Sequence, residues 1–260
     1  MRLRSRHGKN PEELGALDVE TYLDDKTLKR KFVNTMFDIL APGYDAFTRI
    51  FSFGMDRRWK ARLIEEGIQR AKETNTIVDL ACGTGDFAFA ITRHTESVLI
   101  LGLDFSLPML QEAQRRAQKQ GVSISFSACD ILQLGVRSKI ADVVSIGYGL
   151  RNTSDVSKAL SEIARIIKPG GVLINLDFYK PAGRLWRELF LWYMWQAGRV
   201  AGWIWHREPI VYGYLAPSIR RYLTIVEFED ALIGEGFKIE WRQSRLGGAV
   251  GLHVARKMPQ

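Results

Sequence analysis

The chain has 260 residues, 46% of them hydrophobic and 25% charged, a composition that supports a sizeable core and excludes a largely disordered polypeptide. Lys and Arg number 37 against 29 Asp and Glu, a formal charge of +8 that favours anionic surfaces such as lipid or nucleic acid. The two cysteines, Cys82 and Cys129, form no CxxC pair, which excludes a disulfide framework or a zinc ribbon and fits a reducing compartment.

Residues 1–25 are polar, with Arg2, Arg4, Arg6 and Lys9, and read as a basic, poorly ordered tail. That start lacks the apolar segment of a secretion signal, and no apolar run reaches the ~18 residues of a membrane span, so a cytoplasmic location is expected. From Thr27 to Leu40 the apolar positions Leu28, Phe32, Met36, Phe37 and Leu40 recur every three or four residues, which predicts an amphipathic helix. A second helix is predicted over 57–72. Beyond it, strands are predicted over 76–81, 98–103, 124–129, 141–147 and 172–178, with helices over 86–93, 107–120 and 154–167. Such alternation implies a parallel sheet covered on both faces. A helix over 227–234 is followed by alternating stretches over 237–243 and 249–256, joined across Gly247 and Gly248 as a hairpin. The expected fold is α/β and Rossmann-like, with seven mostly parallel strands and a C-terminal antiparallel hairpin, an arrangement that resembles class I methyltransferases. Residues 26–260 then form one domain, interrupted by a Trp-rich helical insertion at about 183–215.

The strongest local signal is Val78-Asp79-Leu80-Ala81-Cys82-Gly83-Thr84-Gly85-Asp86, between a predicted strand and a predicted helix. Gly83 and Gly85 let a ligand lie against the main chain at the carboxyl edge of the sheet. A dinucleotide fingerprint would put Ala88 at its third glycine position, which alanine can fill, so the glycines alone leave both readings open. Asp79 favours a cationic amino-acid end over a pyrophosphate, and S-adenosylmethionine is the expected cofactor. Asp104, at the tip of the second strand, is placed to accept ribose hydroxyls. Asp130 is placed to accept from the adenine amino group while Ile131 presents a backbone donor. Phe105 and Met109 can pack on the base, Met109 equally reading as core, and Ser106 reads as a helix cap whose backbone borders the cofactor. Ala81, Cys82, Thr84 and Gly147 complete the expected cofactor set.

With the glycine loop, Asp104, Asp130 and Gly149-Leu150-Arg151-Asn152 in order, residues 31–256 resemble the UbiE/MenG family of quinone-biosynthesis C-methyltransferases. Phe37, Tyr44-Asp45, Ser52-Phe53-Gly54, Trp59, Lys168-Pro169-Gly170-Gly171, Lys180-Pro181, 212–220 and Gly251-Leu252-His253 extend the likeness. It implies S-adenosylmethionine-dependent C-methylation of a polyprenyl quinol, either demethylmenaquinol or a 2-methoxy-6-polyprenyl-benzoquinol. The chain departs from the family's pattern at Phe47-Thr48 for Met-Asn, Asp56 for histidine, Gly147 for serine, Asp177 for glutamate and Tyr179 for serine.

Carbon methylation of a quinol ring needs the neighbouring hydroxyl to lose its proton, so the site requires a base or a cation beside the phenolate. Arg151 is the candidate for that oxygen, its alternative role being a salt bridge that anchors the loop. Asn152 and Tyr148 are candidates for orienting the quinol, and Asp177 for accepting a proton or restraining Arg151. Tyr44 and Asp45 are assigned to a lid, Tyr212 and Tyr214 to the substrate side. The histidines at 7, 94, 206 and 253 show no metal-ligand spacing, and no metal is expected.

Trp186, Trp192, Trp195, Trp203 and Trp205 fall among Leu185, Leu189, Phe190, Leu191, Met194 and Ile204, flanked by Arg184, Arg187, Arg199 and Arg207. Tryptophan and arginine beside an apolar face suit a bilayer interface, and a prenylated substrate would be met there, at the inner face of the cell membrane. The alternatives are a helix packed on the domain, a homodimer interface, or assembly with other quinone-biosynthesis enzymes. A nucleic-acid methyltransferase is disfavoured because the chain contains no Pro-Pro. A methyltransferase acting on another aromatic or lipid molecule remains the second reading. A binding protein without catalysis is opposed by the carboxylates at 79, 104 and 130.

Overall fold

Each central strand of the sheet is apolar on both sides because helices cover both of its faces, and the alternation is read directly in burial. Ile77 faces one hydrophobic cluster and Val78 the other, as do Val143 and Val144, and Leu173 and Ile174. A computed structural model describes residues 19–41, 54–95, 98–205 and 214–259. In chain order the helices are α1 (Val19–Asp24), α2 (Lys26–Leu40), α3 (Asp56–Arg70), α4 (Asp86–Ile91), α5 (Leu107–Gln120), α6 (Val156–Ile166), α7 (Arg184–Trp205), α8 (Leu215–Arg221) and α9 (Ile225–Gly234). The strands are β1 (Thr76–Leu80), β2 (Leu99–Asp104), β3 (Ser125–Ala128), β4 (Ala141–Gly147), β5 (Ile167–Phe178), β6 (Phe237–Arg245) and β7 (Val250–Lys257).

The sheet has seven strands in the order β3-β2-β1-β4-β5-β7-β6. The first five are parallel, and β7 inserts between β5 and β6, antiparallel to both. The predicted mostly parallel sheet with a C-terminal hairpin is therefore the observed one. The strand order reverses beside β1 and β4, and the glycine loop follows β1 at this switch point.

Two local expectations change. The predicted irregular tail to residue 25 ends earlier, because Val19–Asp24 is helical. Tyr22 packs its ring on Phe32 at 5.8 Å and Asp24 pairs with Arg221 at 2.8 Å, so a surface supplied by distant elements orders a segment whose own sequence carries little pattern. Strand β5 also starts at Ile167 rather than at Val172. It bulges at Lys168-Pro169-Gly170-Gly171, so that Ala141 faces Ile167 but Val143 already faces Val172. Gly170 has φ 83°, and a Cβ on Gly171 would lie 2.9 Å from the Asp142 carbonyl, so the bulge needs both glycines.

Candidate functional site

Two adjoining cavities of about 600 and 630 Å³, counting their open mouths, lie along the carboxyl edge of the sheet. Ala81, Asp104, Phe105, Gly149 and Asn152 line both, which makes them one continuous cleft. The first holds Asp130, Ile131 and Cys129 at its far wall, and the second holds Asp79, Cys82, Gly83, Thr84, Met109, Gly147 and Tyr148. Most of the residues expected to bind the cofactor are thus brought together. Gly85 and Ser106 stand behind the wall: Gly85 starts α4 at φ 87°, and Ser106 caps α5 by accepting from the Met109 N–H at 3.4 Å. A Cβ on Gly85 would fall 2.7 Å from the Phe89 ring, so that tight turn tolerates only glycine.

The carboxylates are held by the backbone around them. Asp79 accepts from Ser145 Oγ at 2.7 Å and from the Ala88 N–H at 3.1 Å. Asp104 accepts from the N–H groups of Gly83 at 2.8 Å and Ser106 at 2.9 Å, which ties the tip of β2 to the glycine loop. Burial raises Asp79 to about 7 and outweighs the Ser145 and Ala88 bonds that oppose it. It raises Asp104 to about 6 against its own backbone bonds. A buried carboxyl such as Asp79 is stabilised in its ionised form by a cationic neighbour, and S-adenosylmethionine carries an ammonium and a sulfonium. The open glycine turn, Asp104 at a ribose position and Asp130 at the far end fit the remainder of that molecule. Asp130 also pairs with Arg30 at 2.6 Å and accepts from the Leu132 N–H at 2.9 Å.

Several wall residues carried no functional reading in the sequence. Arg30, Val33, Asn34 and Phe37 of α2 reach the cleft at i, i+3, i+4 and i+7, one face of the helix. The same helix is tied to the loops beneath it, since Lys26 pairs with Asp155 at 2.7 Å and Lys29 donates to the carbonyls of Arg151 at 3.1 Å and Thr153 at 2.6 Å. Burial, reinforced by the nearby Arg151 charge, lowers Lys29 to about 8. Lys60 of α3 and Asp86 of α4 also reach the wall. Lys60 bridges Asp56 at 2.7 Å and Asp86 at 3.1 Å, and Arg116 pairs with Asp86 at 2.9 Å. Burial works against the charge on Asp86, but Lys60 and Arg116 hold its carboxyl below the usual range.

The four residues assigned to catalysis separate into two pairs. Tyr148 and Asn152 lie on the cleft wall, and the Asn152 amide donates to the Tyr148 carbonyl at 2.7 Å. Arg151 and Asp177 do not reach either cavity. They form a buried pair behind the loop, with Arg151 Nε 3.5 Å from Asp177 Oδ1 and the Arg151 N–H donating to Asp177 Oδ2 at 3.1 Å. Arg151 Nη1 donates to Ser218 Oγ, while its buried Nε has no hydrogen-bond partner. Of the two roles expected for Arg151, these contacts fit the loop-anchoring one, since its side chain is engaged by Asp177 and Ser218. Tyr214 stands behind Asn152, donating to its Oδ1 at 3.2 Å, and is likewise off the wall. Tyr44, Asp45 and Tyr212 lie outside the described residues.

Known proteins give the same reading. A solved S-adenosylmethionine-dependent methyltransferase from Clostridium acetobutylicum shares the fold, with TM-score 0.60 at 14% identity over 83% of this chain and 99% of that one. The demethylmenaquinone methyltransferase of Thermus thermophilus is 32% identical over 84% of this chain and 98% of its own length. The 2-phytyl-1,4-naphtoquinone methyltransferase of Nostoc punctiforme is 32% identical over 86% and 98%. Residues 25–257, which include the whole of the cleft and its sheet, match the ubiE/COQ5 methyltransferase family, and the chain belongs to that family of S-adenosylmethionine-dependent enzymes.

Proposed function

We propose that the protein methylates a ring carbon of a prenylated quinol, a naphthoquinol such as demethylmenaquinol or a related benzoquinol. The carrying observation is a cleft with buried carboxylates for a cationic cofactor beside the mouth lined by Tyr148 and Asn152, in a chain whose relatives are named for demethylmenaquinone and phytyl-naphthoquinone. The cofactor, when bound, supplies an electrophilic methyl group. The protein's part is to orient the acceptor and exclude water. Asp79, Asp104 and Asp130 hold the amine, sugar and base ends. Tyr148 and Asn152 face the acceptor, with Tyr214 fixing the Asn152 amide. Arg151 and Asp177 set the position of that loop from behind. Chemically reduced demethylmenaquinone incubated with the protein and S-adenosylmethionine should gain one methylene by mass. Methylation of some other aromatic or lipid and of neither quinol class would establish the second reading instead.

The acceptor's prenyl tail places the reaction at a bilayer, and α7 suits that surface. Leu185, Trp186, Leu189, Trp192 and Trp195 are exposed by 87, 39, 54, 58 and 42%, at spacings that form one stripe flanked by Arg184 and Arg187. No helix among the described residues is long and apolar enough to cross a membrane. The protein should float with liposomes containing anionic lipid, and partly remain bound at high salt because the stripe is apolar. Failure to float at either salt concentration, with a dimer in solution, would assign the stripe to self-association.

A further inference from the structure

We propose that Tyr148 and Asp56 form a proton relay that takes the hydroxyl proton of the acceptor, with Lys60 as the residue that positions Asp56. This rests on the quinol reading above and names the base that reading requires.

Tyr148 directly follows β4 in the left-handed conformation, φ 58°, which a bulky side chain adopts only where its surroundings enforce it. Its N–H donates to the Leu176 carbonyl at 2.7 Å and its ring stacks on Phe178 at a centroid distance of 5.2 Å, so the direction of the phenol is fixed. Tyr148 lines the cleft, and its hydroxyl donates to Asp56 Oδ1 at 2.9 Å. Asp56 is the first residue of α3 and is buried off the wall. Its second oxygen meets Lys60 Nζ at 2.7 Å. A cleft-lining tyrosine is therefore joined through its hydroxyl to a buried carboxylate.

The other carboxylates near the cleft have partners of their own, Asp130 among them with Arg30 and the Leu132 N–H. Asp79 bonds Ser145 and the Ala88 N–H, and Asp104 bonds the N–H groups of Gly83 and Ser106. Asp86 pairs with Lys60 and Arg116, and Asp177 pairs with Arg151 behind the loop. Among these, Asp56 is the one joined to a wall hydroxyl. In the relay the acceptor's O–H bond breaks as its proton passes to Tyr148 Oη, and the tyrosine's own proton crosses to Asp56 Oδ1. The electron pair stays on the acceptor oxygen and enriches the adjacent ring carbon. When the methylated ring later sheds its C–H proton, the oxygen is reprotonated through Tyr148, and one proton leaves to water.

The test compares full-length wild type with Asp56→Asn, Asp56→His and Tyr148→Phe, using short-chain demethylmenaquinol. Asp56→Asn and Tyr148→Phe should each lower kcat about 100-fold or more while calorimetric affinity for S-adenosylhomocysteine stays unchanged. Asp56→His should restore most of the turnover with the acidic limb of the pH profile moved upward, since an ordinary imidazole titrates near ~6.5. Should Asp56→Asn not fold, Tyr148→Phe removes only the hydroxyl and carries the same expectation. Unchanged kcat in Asp56→Asn and Tyr148→Phe, or an acidic limb that does not move in Asp56→His, overturns the relay alone. A wild type that leaves the quinol unmethylated overturns the quinol reading and the relay with it.

Discussion

Arg151→Ala is expected to destabilise the protein by about 3–5 kcal/mol and to remove most of its turnover, while the affinity for S-adenosylmethionine stays close to that of the wild type. Arg151 and Asp177 are both buried, the Asp177 side chain fully so, and Asp177 also accepts the N–H groups of Arg151 and Phe178. Burial already raises Asp177 against the opposing charge of Arg151, so deleting the cation leaves a carboxyl with no charge to offset its desolvation. The same deletion removes the donor to Ser218 Oγ and loosens the turn that carries Asn152. Because the cofactor walls belong mainly to other loops, calorimetry should detect little change where kinetics detects much. Urea unfolding supplies the stability term, and Arg151→Met with Asp177→Leu should recover stability without recovering turnover. A loss below about 1 kcal/mol would show that the pair does not hold the loop, since an exposed ion pair contributes no more than that.

The affinity for S-adenosylmethionine should rise by about tenfold or more between pH 5.5 and 8, and the stability of the ligand-free protein should fall over the same interval. Asp79 at about 7 and Asp104 at about 6 both exceed the ordinary value of 3.8 because they are buried. The folded protein therefore binds more protons than the unfolded chain from about pH 4 to 7, and stability declines as pH rises through that window. A ligand whose ammonium and sulfonium groups are cationic favours ionised carboxylates beside them, so it binds better as they lose their protons. The thermal shift at a fixed ligand concentration should accordingly be larger at pH 8 than at 5.5. Asp79→Asn should flatten most of this dependence. A melting temperature that rises with pH in the ligand-free protein would contradict the assignment of these two groups.

Much of the cofactor cleft was legible in the sequence because its parts are local. Asp79 and Asp104 sit at the ends of apolar strands that deliver them to the sheet edge, and Asp130 follows the short edge strand β3 by two residues. Asp79, Asp104 and Asp130 could thus be placed one at a time. The face of α2 that forms the cleft's roof was visible as periodicity in Arg30, Val33, Asn34 and Phe37, but nothing in the spacing says which surface such a face covers. Arg151 shows the opposite failure. Asn152 lines the cleft while Arg151 beside it pairs with Asp177, a partner 26 residues further along that no local pattern could name.

By itself, the sequence determined the alternation of strands and helices, the closing hairpin, the glycine turn after β1 and the order of the three carboxylates that line the cleft. These follow from periodicities and torsional limits that act within a few residues. Tertiary structure alone decided that α1 is ordered, that β7 lies between β5 and β6, and that Asp56 meets Tyr148 across 92 residues of sequence. Those outcomes depend on which surfaces are buried against each other, and a buried polar group takes whichever partner the packing brings within reach.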